Sequence, residues 1–164
     1  MNFIKFPSLP FTKVRHAVVS PDFYGVLVEP LAKLGVTALR GPTSQGLSVP
    51  VRTHPDTNLC YLGRGEAVVF SDSSIPKELS NLGMHFYYTA CPGGSSYPGD
   101  AALNAKIMPG RYIHKKGITS PELSALLDKK KLQPLYVNQG YCCCGIALVD
   151  EYSAMTSDKK TADT

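Results

Sequence analysis

The feature that most constrains this chain is a phrase that recurs along it. Leu31-Ala32-Lys33-Leu34-Gly35 runs into Val36-Thr37-Ala38-Leu39, and Leu79-Ser80-Asn81-Leu82-Gly83 runs into Met84-His85-Phe86-Tyr87-Tyr88. A third copy, Leu123-Ser124-Ala125-Leu126-Leu127, leads through Lys129-Lys130-Lys131 into Pro134-Leu135-Tyr136-Val137. Each phrase reads as a short helix followed by an apolar strand. The steps from Leu31 to Leu79 and from Leu79 to Leu123 are 48 and 44 residues, and self-similarity at such a period signals a repeat architecture. A strand hairpin precedes the second and third copies, so the unit is strand–strand–helix–strand. The expected fold class is α/β (α+β), built from repeated β-β-α-β units.

The spacing gives unit boundaries at about 1–41, 53–90 and 100–138, followed by a fourth hairpin at about 142–158, all within a single domain. Helices are expected near 22–34, 75–82 and 120–130. Ser20-Pro21 and Ser120-Pro121 place an N-cap ahead of a proline in the first turn, and Ser74 opens the middle helix. Gly63-Arg64-Gly65, Pro109-Gly110 and Asp150-Glu151-Tyr152 turn the hairpins. The fourth hairpin calls for a fourth helix, and the chain stops at Thr164, so a partial domain of about three and a half units is expected. An open end of that kind exposes strand edges and invites self-association.

With 164 residues, 43% hydrophobic and 18% charged, the chain can bury a core and is not a disordered polymer. It contains no apolar run long enough to cross a bilayer. Met1-Asn2-Phe3-Ile4-Lys5 lacks the basic, apolar and small-residue order of a secretory signal. Five cysteines, three of them adjacent at Cys142-Cys143-Cys144, do not form a secreted disulfide framework. The expectation is reduced thiols and a cytoplasmic protein with no membrane partner. The net charge of +4 is mild. Its densest cluster, Lys129-Lys130-Lys131, falls at a helix end that favours cations, so no nucleic-acid partner is expected.

The candidate chemistry lies where the hairpins open. Asp56 precedes Leu79 by 23 residues and Asp100 precedes Leu123 by the same 23. The fourth hairpin opens at Cys142, Cys143 or Cys144. In a radial propeller the first strands line a central channel, which would bring two carboxylates and a thiol to one depth. His54 and Asp56, on an extended segment, share a face; the carboxylate can hold a cation while the imidazole moves a proton. Asn104 accompanies Asp100. On a strand, Cys142 and Cys144 point together and Cys143 points away. Gln139 and Tyr141 are placed to line the site. Three consecutive cysteines cannot give three ligands on one face, so neither a zinc site nor any cofactor is expected. Gly93-Gly94-Ser95-Ser96 could cradle an anion but lacks the Lys-Ser/Thr of a P-loop.

Four segments carry a resemblance: Thr53-His54-Pro55-Asp56, Tyr97-Pro98-x-Asp100-x-x-x-Asn104, Val137-Asn138-Gln139-Gly140-Tyr141-x-x-Cys144 and Thr156-Ser157-Asp158. In order and spacing they resemble an uncharacterised bacterial family assigned to the pentein fold of guanidino-group-modifying enzymes, a five-bladed α/β propeller. The resemblance implies a hydrolase or amidinotransferase acting on a guanidine or amidine through a covalent cysteine. It assigns His54 and Cys144 to catalysis, and Asp56, Asp100, Asn104, Gln139 and Tyr141 to binding a small guanidinium-like molecule. In characterised penteins the His-x-Asp follows an earlier acid and the nucleophile lies in the last blade, whereas here His54-x-Asp56 precedes Asp100. The same fold also serves non-catalytic binding modules of the ribosome-binding initiation-factor type, so enzyme and binding module both stand at this point.

Overall fold

Short strands and helices alternate along the chain in a computed structural model that describes residues 3–6, 8–90 and 96–163. The first unit contains β1 (His16–Val19), α1 (Tyr24–Lys33) and β2 (Thr37–Arg40), and β1 and β2 pair in parallel across the helix. Ser20 caps the entry to this helix, its Oγ accepting from the Asp22 N–H at 3.3 Å; the entry is a short 3-10 turn, Pro21–Phe23, that leads into α1. The two-residue strand β3 (Thr43–Ser44) follows.

The second unit opens with a single helical turn, α2 (Pro55–Asn58), and continues through β4 (Leu59–Gly63), β5 (Glu66–Phe70), β6 (Ser73–Ser74), α3 (Lys77–Ser80) and β7 (His85–Thr89). The turn at Gly63-Arg64-Gly65 holds all three residues at positive φ, between 56° and 84°. Glycine adopts that conformation at no steric cost, so the antiparallel β4–β5 hairpin closes there. β7 then pairs in parallel with β5. The third unit repeats the plan. A 3-10 turn at Gly99–Ala101 leads to β8 (Lys106–Met108), β9 (Arg111–His114), α4 (Pro121–Lys129) and β10 (Gln133–Tyr136). β8 and β9 are antiparallel, and β9 and β10 are parallel. The fourth unit comprises the turn α5 (Cys142–Gly145), the antiparallel pair β11 (Ile146–Leu148) and β12 (Ala154–Thr156), and a further turn, α6 (Lys159–Ala162).

The architecture is therefore mixed α/β, with five small sheets and no closed barrel among the described residues. Leu79 and Leu123, the repeated helix leucines, are both fully buried. The main core joins two units: Cys60, Leu62, Val68 and Phe70 from the second pack with Leu103, Ile107, Tyr112, Leu123 and Leu127 from the third. A smaller cluster, Met108, Ile113, Cys142 and Ile146, joins the third to the fourth. The first unit is fastened to the second by the β3–β6 pair and by an Arg40–Glu78 ion pair of 3.1 Å.

Some expected details change. The middle helix is one turn, Lys77–Ser80, capped at Pro76, because Ser74 is committed to the β3–β6 pair. His54 and Asp56 do not lie on one extended segment: proline at the first helical position turns Pro55–Asn58 into α2, with His54 as its N-cap. The cysteine run is helical instead of extended, so alternation does not decide which thiol faces where. The third unit does not open directly on a strand at its expected start near residue 100: a 3-10 turn, Gly99–Ala101, comes first, and β8 begins at Lys106. A turn of the fourth helix is present as α6, where the Asp158 carboxylate accepts from the Thr161 N–H at 3.0 Å. The loop Cys91-Pro92-Gly93-Gly94-Ser95 lies outside the described residues.

Candidate functional site

Three hairpins open on short helical turns, and the turns converge. Asp56 sits in α2 ahead of β4, Asp100 in the 3-10 turn ahead of β8, and Cys144 in α5 ahead of β11. Asn104 ties them together. Its Nδ2 donates to Asp56 Oδ2 at 2.8 Å and to the Asp56 backbone carbonyl at 3.0 Å, while its Oδ1 accepts from the Cys143 N–H at 2.6 Å. With 1% of its surface exposed, Asn104 has both ends of its amide engaged and cannot rotate without losing a bond. It holds α2 and α5 against each other across the start of β8.

The Cys144 thiol donates to the same Asp56 Oδ2 and lies 4.0 Å from the Asn104 amide nitrogen. Although Cys144 is exposed as a residue, its sulfur is turned onto the carboxylate. Burial of the thiol first, and then the facing Asp56, push its pKa up to about 12. Both act by disfavouring the thiolate. The other two cysteines point elsewhere. Cys142 is buried and its thiol meets the Gln139 carbonyl at 3.0 Å; Cys143 meets the Ala105 carbonyl at 3.2 Å. Lys106 Nζ donates to the Cys143 carbonyl at 3.0 Å, fixing the end of α5.

Asp100 forms the second part of the cluster. It is 3% exposed, and its Oδ1 is buried with no hydrogen-bond partner among the described residues. The Tyr141 phenol faces its carboxylate; burial first, and then Asp100, raise the phenol's pKa. Tyr141 also lies within electrostatic reach of Cys144, so one phenol spans the two halves of the site. Gln139 positions it, Oε1 accepting from the Tyr141 N–H at 3.0 Å. Tyr97 packs on Tyr141 with centroids 5.6 Å apart, and its hydroxyl accepts from Lys115 at 2.9 Å. A Cβ on Gly140 would come within 2.6 Å of the Tyr97 ring, so glycine at that position is what lets the two tyrosines meet.

Of the residues singled out from sequence, Asp56, Asn104 and Cys144 touch one another, and Asp100, Tyr141 and Gln139 form the adjoining wall. His54 is not brought in by hydrogen bonding. Its backbone carbonyl accepts from Thr57 Oγ1 and Asn58 Nδ2, both at 2.9 Å, and its ring makes no hydrogen bond to the cluster. Tyr97 and Lys106 were not among the candidates. Tyr97 had a usable signal, its place three residues before Asp100. Lys106 had none, because its role depends on where α5 docks. Among the described residues no group of three His, Cys, Asp or Glu side chains is placed to hold a metal ion.

A family model described as "Family of unknown function (DUF6873)" matches residues 18–164. The chain belongs to that family. No curated protein and no solved structure matches it. The DUF6873 match begins within β1 and takes in everything after it, so the whole Asp56–Asn104–Cys144–Asp100 cluster falls inside the family's span. Among the described residues no helix is long and apolar enough to cross a membrane.

Proposed function

We propose that this cluster binds a guanidinium or amidinium group and attacks its central carbon through Cys144, on units arranged as blades of a pentein-type propeller. The observation that carries the reading is the meeting of three hairpin starts from three successive units on one thiol, two carboxylates and one fixed amide. Asp100 keeps a buried oxygen without a donor, and a planar cation supplies N–H donors in pairs suited to carboxylates. Tyr97 and Tyr141 add aromatic surface, which also favours a cation.

The thiol is protonated in the free protein, and the ligand itself changes that. A cation seated between Asp56 and Asp100 offsets the carboxylate that raises the Cys144 pKa. The S–H proton passes to the Asp56 carboxylate it already faces. Sulfur forms a bond to the central carbon and a carbon–nitrogen π pair moves onto nitrogen. Collapse expels ammonia or an amine, which carries away the proton held by Asp56. The S-linked amidine left on Cys144 is then cleaved by water, or by a second amine acting as acceptor. In this reading the proton path runs through Asp56 and not His54.

The test compares two alkylating reagents on the intact protein at pH 7.5: cationic 2-chloroacetamidine and neutral chloroacetamide, with mass-spectrometric mapping of the product. The expected result is faster labelling by the amidine, at Cys144, and loss of that preference in Asp56→Asn and Asp100→Asn. Equal rates for the two reagents, or labelling at Cys60 or Cys142 instead, would sink the reading. A second reading, a non-catalytic module that binds a cation, draws on the protonated state of Cys144. It is favoured if guanidinium ligands bind but the amidine reagent gains no rate advantage.

Two coarser proposals accompany this one. A reducing, cytoplasmic setting suits the free thiols at Cys60, Cys142, Cys143 and Cys144. Self-association is proposed at the fourth unit, where Val149, Tyr152 and Met155 are exposed and, among the described residues, β12 pairs only with β11. Sedimentation should show a concentration-dependent mass that falls when Tyr152 and Met155 are replaced by Ser. A constant monomer mass would refute it.

A further inference from the structure

β1 is one strand short of its equivalents. In the second and third units the strand preceding the helix has two neighbours: β5 lies between antiparallel β4 and parallel β7, and β9 between antiparallel β8 and parallel β10. β1 is the same strand of the first unit, parallel to β2 across α1, yet it has no antiparallel neighbour among the described residues. The bonding pattern identifies the groups left over. The Thr37 N–H donates to the Arg15 carbonyl and the Gly41 N–H to the Val19 carbonyl, both at 2.8 Å. Odd-numbered residues therefore face β2, and the two-residue period turns the N–H and C=O of His16 and Val18 to the opposite edge.

That edge opens onto a cavity of about 950 Å³. His16 and Val18 line it together with Cys60 of β4, Ile107 of β8 and, from the N-terminal segment, Phe3 and Ile4. The cavity thus lies beside β1 among the strands whose counterpart β1 lacks. Leu39, Leu79 and Met84 add apolar lining, while Lys13, Arg15 and Lys106 outnumber the one lining acid, Asp56. We propose that β1 is the docking edge for an extended segment of a partner polypeptide, added antiparallel, with apolar side chains in the cavity and carboxylates toward Lys13, Arg15 and Lys106. Main-chain bonds to His16 and Val18 supply affinity, and the cavity supplies selectivity, as in strand addition generally. The charge argues for a different chain over a second copy. This chain carries +4, and its exposed strands β10 and β12 contain no acidic residue.

The test uses a fluorescein-labelled decapeptide alternating valine with glutamate, followed by anisotropy and by hydrogen exchange. Expected are saturable binding and new protection of the His16 and Val18 amides. N-methylation of alternate peptide residues removes the main-chain bonds without touching the protein, and should weaken binding by about tenfold or more. Val18→Pro removes an outward N–H that β2 does not use. It should do the same, while the Thr37 and Leu39 amides keep their protection. Absence of binding, binding without protection of His16 and Val18, or indifference to N-methylation each overturns the proposal. So does protection of these two amides before peptide is added: with a mass that rises with concentration the occupant is a second copy, and with a constant mass it is the chain's own N-terminal segment.

Discussion

Cys144 and Asp56 share an oxygen-to-sulfur contact that is unfavourable to thiolate chemistry until something positive arrives. The residue-scale consequence is a pH profile. Alkylation of Cys144 by neutral chloroacetamide should climb with pH through the ordinary thiol range near 8.5 and turn over only toward about 12. Asp56→Asn removes the second cause of the shift but not the first, burial, so the midpoint should fall part of the way and stay above the ordinary value. Peptide mapping separates this thiol from Cys142, whose own pKa is pushed up to about 11 by burial. A midpoint near 8.5 in the unaltered protein would show that the Cys144 thiol is neither buried nor turned onto Asp56 in solution. At this scale the sequence was informative where spacing carried the information. The 23-residue offsets marked Asp56 and Asp100, and Asn104 followed four residues later. It was silent on Lys106, since a lone lysine at a strand start looks the same whether or not a backbone carbonyl lies ahead of it.

The elements show a sharper division. The two longer helices were legible because Ser20-Pro21 and Ser120-Pro121 combine a side-chain cap with proline's fixed φ, and Ser120 Oγ does accept from the Leu123 N–H at 3.2 Å. The turns α2 and α5 were not legible, because four residues hold barely one helical period and periodicity cannot register in them. What makes α2 is a polar anchor. Asn58 is fully buried; its Oδ1 accepts from the Ser44 N–H at 2.8 Å, and its Nδ2 donates to the carbonyls of Arg52 and His54 at 2.9 Å each. One amide therefore fastens the 45–54 loop, α2 and β3 together. Asn58→Ala takes away the side-chain acceptor of the Ser44 N–H and the side-chain donor to the Arg52 carbonyl, at about 1–3 kcal/mol for each buried bond lost, while the His54 carbonyl keeps its bond from Thr57 Oγ1. Urea denaturation should show a loss of about 2–4 kcal/mol. Because Asp56 rides on α2, the amidine preference at Cys144 should weaken as well. Full stability in Asn58→Ala would mean that the loop holds itself.

Across the whole molecule, stability resides between units more than within them. Among the described residues no unit's sheet exceeds three strands, the minimum at which a sheet with one apolar face can stand by itself, and the main core is shared across the second and third units. That sharing was only half legible. The repeat period announced the units, but the partner of each apolar face depends on how neighbouring units stack, which no local pattern encodes. Leu123 lies at the junction: it is carried by α4 of the third unit, fully buried, and belongs to the same cluster as Val68 and Phe70 of the second. Leu123→Ala should therefore cost about 2.7–5 kcal/mol, and its distribution is the diagnostic part. If neighbouring units are thermodynamically coupled through this interface, hydrogen exchange should quicken at β4 and β5 as much as at β8 and β9. The first unit contributes no described residue to that core; it is tied on by the β3–β6 pair, the Arg40–Glu78 ion pair and the Thr53–Asp22 and Arg64–Ile4 bonds, and it should respond least. Exchange that quickens only in the third unit would show that each unit folds on its own account and that the shared core is contact without coupling. In that case Asp56 and Cys144, anchored in different units, would owe their meeting to local contacts: the Asn104 bridge and the Lys106 bond that holds α5.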